Sequence, residues 1–152
     1  MRFTPKEADP LFDSAQKVVQ GLGLSLIELV VSRHKASVQV RAVIYKNGFI
    51  GVDDCSRVHH SLIGRLELAF SGQDIYLEVS SPGIDRNIKD AHEFKHYIGR
   101  GIRCFRTDIS DWTSGILETA DENALILKEK NEMLKIQYEV IAKARLDHSK
   151  EA

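Results

Sequence analysis

The segment Leu77-Glu78-Val79-Ser80-Ser81-Pro82-Gly83-Ile84-Asp85-Arg86 brings two hydroxyls, a rigid turn, an acid and a guanidinium close together. Leu77 and Val79 alternate with Glu78, the pattern of a half-buried strand. Pro82 then fixes φ and removes a backbone donor, and Gly83 is read as supplying a positive φ. Asp85 is expected to accept hydrogen bonds from loop amides. Arg86 carries a planar, permanently charged fork expected to tie the loop to the second domain or to a carboxylate or phosphate of a partner. Ser80 and Ser81 do not lie in a Gly-x-Ser-x-Gly elbow, and no general base stands at a recognisable spacing, so nucleophilic catalysis is not supported. Two readings stay open for Ser80, Ser81, Pro82, Gly83, Asp85 and Arg86: a structural turn held by an Asp85–Arg86 pair, or a contact surface. The expectation is that the loop is chiefly architectural.

Basic residues form the second group with chemistry. Lys95, Arg100, Arg103 and Arg106, with His96, occur with no acid between Lys95 and Thr107. Such a cluster contacts phosphates, or it is solvated surface with ion pairs to Glu93 or Asp108. Lys143 and Arg145 alternate, so on a strand they share a face. They too suit either a phosphate or a structural contact. His59 and His60 are adjacent and on a helix point apart, which is not the spacing of a metal pair. Cys55 and Cys104 are the only cysteines and read as small packed residues; if Cys104 were exposed, nearby bases would lower its pKa. No catalytic residue, metal site or cofactor is expected.

Positioning these residues requires two kinds of element. Asp9-Pro10 opens a helix with Leu11, Ala15, Val18 and Leu22 at helical spacing and Phe12 and Val19 beside them, and Gly21 and Gly23 close it. Leu24 to Val31 reads as a strand. Val38, Val40, Ala42 and Ile44 alternate with polar residues and read as a second strand after a polar hairpin connection. Asp53 and Asp54 are expected to cap a second helix with Cys55, Val58, Leu62, Leu66 and Ala69 along its apolar stripe. Ile75, Leu77 and Val79 complete a third strand. The order helix-strand-strand-helix-strand implies an α+β domain over residues 1–90, with both helices on one face of a three-stranded sheet.

Beyond residue 90 the texture changes. A short helix is expected around Ala91 to Tyr97. Ile102–Arg106, Ser114–Thr119, Ala124–Lys128, Met133–Gln137 and Val140–Arg145 are then short, β-compatible and separated by turn-prone residues. About five such strands imply a small closed barrel over residues 91–152.

A hydrophobic fraction of 43% is enough for packed cores. The formal charge of −1 implies no general attraction to nucleic acid, so any such contact must be local. No apolar run reaches membrane-spanning length, and residues 1–7 lack the apolar core of a signal peptide. Two distant cysteines suit a reducing cytosol.

Glu-Val-Ser-Ser-Pro-Gly-Ile-Asp-Arg at 78–86 closely resembles the signature of the bacterial ribosome maturation factor RimP family. The resemblance extends to Gly51-Val52-Asp53-Asp54-Cys55-Ser56-Arg57-Val58 and to Ile141-Ala142-Lys143-Ala144-Arg145-Leu146. The family usually continues Asp-Arg-Pro-Leu, where this chain has Asn87 and Ile88. The stretch Ile136 to Val140 also departs from its usual pattern. The resemblance implies an Sm-like, SH3-type barrel after the α+β domain. It further implies a cytoplasmic, non-enzymatic factor that binds free or immature small (30S) ribosomal subunits through ribosomal protein and 16S rRNA. A monomer is expected. The alternative class is a stand-alone RNA-binding or RNA-chaperone module.

Overall fold

The computed structural model describes residues 1–151. Two compact units divide them: Lys6–Pro82, and Met1–Pro5 together with the chain from Gly83 onward.

The first unit begins with α1, Pro10–Gly21. Asp9 is its N-cap, and Asp9 Oδ1 accepts from Leu11 N at 3.0 Å, while Pro10 occupies the first turn where no donor is needed. Strands β1, Ser25–His34, and β2, Ser37–Tyr45, form an antiparallel hairpin. The helix α2, Val52–Ala69, crosses over to β3, Asp74–Ser80, which lies parallel to β2. Parallel pairing demands such a crossover. The sheet order is β1-β2-β3. Val38, Val40, Ala42 and Ile44 are all buried, as their alternation requires. Ala42 and Ile44 pack with Phe12, Ala15 and Val19 of α1 and with Val58 and Leu62 of α2. Val38 and Val40 pack with Leu66 and Phe70. The pairing register shifts between Leu26 and Glu28, so Leu26 and the extra residue Ile27 are both buried.

The start of α2 differs from the expected cap. Gly51 is the N-cap, and Asp54, three residues on, reaches back so that Oδ2 accepts from Gly51 N at 3.1 Å. Asp54 is therefore a first-turn acid with a capping role of its own. That bond, reinforced by Lys46, holds its carboxyl below the usual range.

The second unit contains β4, Asn87–Ile88; β5, Gly101–Arg106; β6, Asp111–Ala120; β7, Ala124–Glu129; β8, Glu132–Gln137; and β9, Ile141–Leu146. They pair antiparallel in the order β4-β9-β5-β6-β7-β8, and this hydrogen bonding leaves an open sheet. The five expected strands are present, and β4 is an addition. Ala91–Tyr97 is a 3₁₀ helix begun by Asp90, and Tyr138–Val140 is a short 3₁₀ turn where the last strand was expected to start. Ile102, Cys104, Leu117, Leu125, Leu127, Ile136, Phe94 and Tyr97 are buried. Residues 1–5 join this unit: Met1 donates its amino group to Tyr138 O at 2.7 Å and Ile141 O at 2.8 Å, and Phe3 stacks with Tyr138.

Candidate functional site

The motif loop is built differently from the expectation. Gly83 does not have a positive φ, and a Cβ there would make only an ordinary 3.6 Å contact with Asp85 Oδ1. The turn is closed by Arg86 N donating to Gly83 O at 3.1 Å, with Ile84 and Asp85 at its centre, so no left-handed residue is needed. Asp85 makes no hydrogen bond or ion pair among the described residues. Arg86 instead turns inward. Its Nε lies 2.5 Å from Glu93 Oε1, and Tyr97 OH donates to the same oxygen at 2.9 Å. The Arg86 and Glu93 side chains are only 14% and 6% exposed, so this is a desolvated pair with a third group completing it. The Arg86 carbonyl also accepts from Leu146 N at 3.0 Å, which ties the loop exit to the end of β9.

The basic candidates separate into two sets. Arg100 pairs with Glu151 through Nε. Arg106 pairs with Asp108 at 2.7 Å and holds that carboxyl below its usual range. Lys95 Nζ lies 3.1 Å from His92 Nε2. By contrast, Arg103, Lys143 and Arg145 make no hydrogen bond or ion pair to a described residue.

Strand register brings this second set together. On β5, Ile102 and Cys104 point into the core, so Arg103 and Phe105 point out. Arg103 stands opposite Arg145 on β9, and Phe105 opposite Lys143. On the other side Phe105 stands opposite Trp112 of β6. The Arg103 guanidinium lies 4.3 Å from the Trp112 ring centroid and that of Arg145 lies 5.5 Å from it. Phe105 meets Trp112 edge-on at 5.5 Å. Trp112 was not singled out from sequence because β6 was expected to begin at Ser114. The outward parity of Arg103, Phe105, Lys143 and Arg145 was the available signal.

Burial works against thiolate formation at both cysteines. Burial pushes Cys104 up to about 12, against a smaller opposing pull from Arg106. Burial, with Asp54 beside it, also raises Cys55. His59 and His60 are exposed on α2, and no group of metal-ligating side chains occurs among the described residues. No helix among them is long and apolar enough to cross a membrane.

Two separate cores, a half-buried motif arginine and a cation-rich strand face define a small two-unit α+β protein. Residues 14–85 match the RimP N-terminal domain. The chain is 30% identical over 136 residues to the ribosome maturation factor RimP of Borrelia recurrentis (strain A1), spanning 90% of this chain and 93% of that relative. The corresponding protein of Borrelia hermsii is also 30% identical, and that of Borrelia turicatae 29%, over the same shares. The chain belongs to the RimP family.

Proposed function

We propose that this protein is a ribosome maturation factor that binds free or immature small ribosomal subunits and assists their maturation without catalysing a reaction. The carrying observation is similarity to RimP relatives along nearly the full length of both chains. The physical mechanism is differential binding. A factor that holds an assembly intermediate more tightly than the finished particle shifts the population toward the productive conformation and then departs. Ribosomal protein and 16S rRNA are the proposed partners, approached by a monomer in the cytoplasm. Two units allow two modest contacts in place of one strong one.

The same reading makes the second unit, expected from sequence over residues 91–152 but extending from Gly83 onward with Met1–Pro5 added, an Sm-like barrel distinct from the α+β unit of Lys6–Pro82. Its support is physical. Register shifts between Leu117 and Thr119 and between Phe105 and Arg106 provide the bulges that bend strands. Gly115 lies so close to β7 that a Cβ would stand 2.7 Å from Lys128 O.

Gradient co-sedimentation tests the function. The protein is expected to travel with free small subunits and not with large subunits or assembled ribosomes. Equal association with large subunits, or none with small ones, rejects the reading. Strong binding to free RNA without subunit binding would leave the stand-alone RNA-binding or RNA-chaperone alternative.

A further inference from the structure

Two guanidiniums directly opposite one another across a strand pair repel. Arg103 and Arg145 occupy such positions, and neither is neutralised by a hydrogen-bonded acid among the described residues. Asp147 Oδ1 accepts from Ser149 Oγ and Ser149 N, and the Ser149 hydroxyl is what chiefly holds its carboxyl below the usual range, with a smaller pull from Arg103. The Trp112 ring offsets part of the repulsion by accepting both cations on its π system. Beside it lies a groove of about 560 Å³, lined by Lys89, Trp112, Lys143 and Arg145 with Asn87, and by no carboxylate. Five other arginines are matched to acids, Arg41 to Glu28, Arg57 to Asp54, Arg86 to Glu93, Arg100 to Glu151 and Arg106 to Asp108, while Arg33 lies over Phe70 and Arg65 donates to Ser14 Oγ. On a chain of net charge −1, an unmatched cationic cluster around an aromatic ring is a local exception.

We infer that this groove binds single-stranded RNA, with phosphates held by Lys143 and Arg145 of its lining and by Arg103 next to Arg145, and one unstacked base against Trp112. Several cations in a row favour a polyanion over a single carboxylate, and planar guanidiniums match phosphate oxygens. The aromatic ring adds what a bare phosphate site would not require, a surface for a base. A duplex keeps its bases stacked and offers Trp112 none. Resting on the function proposed above, the strand in the cell is an unpaired segment of 16S rRNA.

Trp112 is the only tryptophan, so its fluorescence reports on the groove directly. Titration of the full-length protein with decauridylate is expected to quench it. A duplex or inorganic polyphosphate of equal phosphate content is expected to quench much less. In anisotropy measurements with labelled decauridylate, Trp112→Ala should weaken binding at least about fivefold, the low end of what one stacked base contributes. The double variant Lys143→Gln/Arg145→Gln should weaken it and flatten the salt slope by about 0.7 for each phosphate that is no longer neutralised. Arg106→Gln should change neither. Far-UV circular dichroism checks folding, and the exposed Lys143→Gln change alone keeps the test decisive if Trp112→Ala unfolds.

Absence of quenching at low salt overturns the inference, as does equal quenching by polyphosphate. An Arg106→Gln effect as large as that of the double variant also overturns it. Oligonucleotide binding without small-subunit co-sedimentation would reject the ribosomal reading and leave the groove standing. Co-sedimentation without oligonucleotide binding would do the reverse.

Discussion

Arg86 illustrates how a residue legible as important takes a different role from the one its neighbours suggest. Adjacency pointed to Asp85 as its partner, yet Glu93, inside the following 3₁₀ helix, holds the guanidinium. Sequence could not reveal this, because the partner depends on how the chain turns after Pro82. Arg86→Ala leaves the Glu93 carboxylate buried without its counter-charge and is expected to cost about 3 kcal/mol or more, as broken buried pairs do. Tyr97→Phe removes one donor to a charged acceptor and should cost about 1.5 kcal/mol. Urea unfolding followed by Trp112 fluorescence measures both. A cost below about 0.5 kcal/mol for Arg86→Ala would mean that Glu93 is hydrated or paired elsewhere. Gly83→Val, which a left-handed conformation would have made disruptive, should leave that same transition nearly unchanged.

Elements were most legible where one periodic face meets one core. The helical spacing around Ala15 and the four alternating apolar residues of β2 place both elements correctly, although α1 centres its buried face on Phe12, Ala15 and Val19 and β2 also buries Val43 and Tyr45 on its other face. The two-residue β4 has no pattern to read; it exists only because β9 lies beside it, with Asn87 opposite Arg145 and Ile88 opposite Ala144. Trp112 was missed for a related reason, since the strand extends through turn-like residues once β5 supplies hydrogen bonds. The glycines test the same distinction between local and tertiary constraint. Gly64 lies inside α2 with nothing within 4 Å of a Cβ, so Gly64→Ala should stabilise by about 0.4–1 kcal/mol. Gly115 faces the β7 backbone, and Gly115→Ala should destabilise by about 1–3 kcal/mol through forced displacement. Thermal unfolding of the two variants should move in opposite directions. Movement of both upward would mean that β6 and β7 can separate freely at Gly115.

At the scale of the molecule, chain order and compact unit do not coincide. Residues 1–5 precede α1 but belong with the strands beyond Gly83. Phe3 lies between His92 and Tyr138, Arg2 O accepts from Ala91 N at 2.8 Å, and Thr4 N donates to Asp90 Oδ1 at 3.0 Å. Local pattern cannot disclose such a return, because a five-residue extended segment carries no periodicity of its own. Its energetic consequence is selective. Removing residues 1–5 exposes the His92 and Tyr138 surface that Phe3 covers, at about 1–2 kcal/mol, which shifts a domain of this size by roughly 5–10 °C. The loss should fall on the unit that contains Trp112, so the fluorescence-detected transition should move down. The unit of Lys6–Pro82 has its own core around Val19, Ile44 and Leu62, and it should keep its stability. Hydrogen exchange at the amides of Val38, Val40, Ala42 and Ile44 reads that second quantity independently. Undiminished protection there beside a lowered Trp112 transition is the expected result. If protection in β2 falls by the same amount, the two units unfold as one cooperative block, and the energetic division between them is wrong.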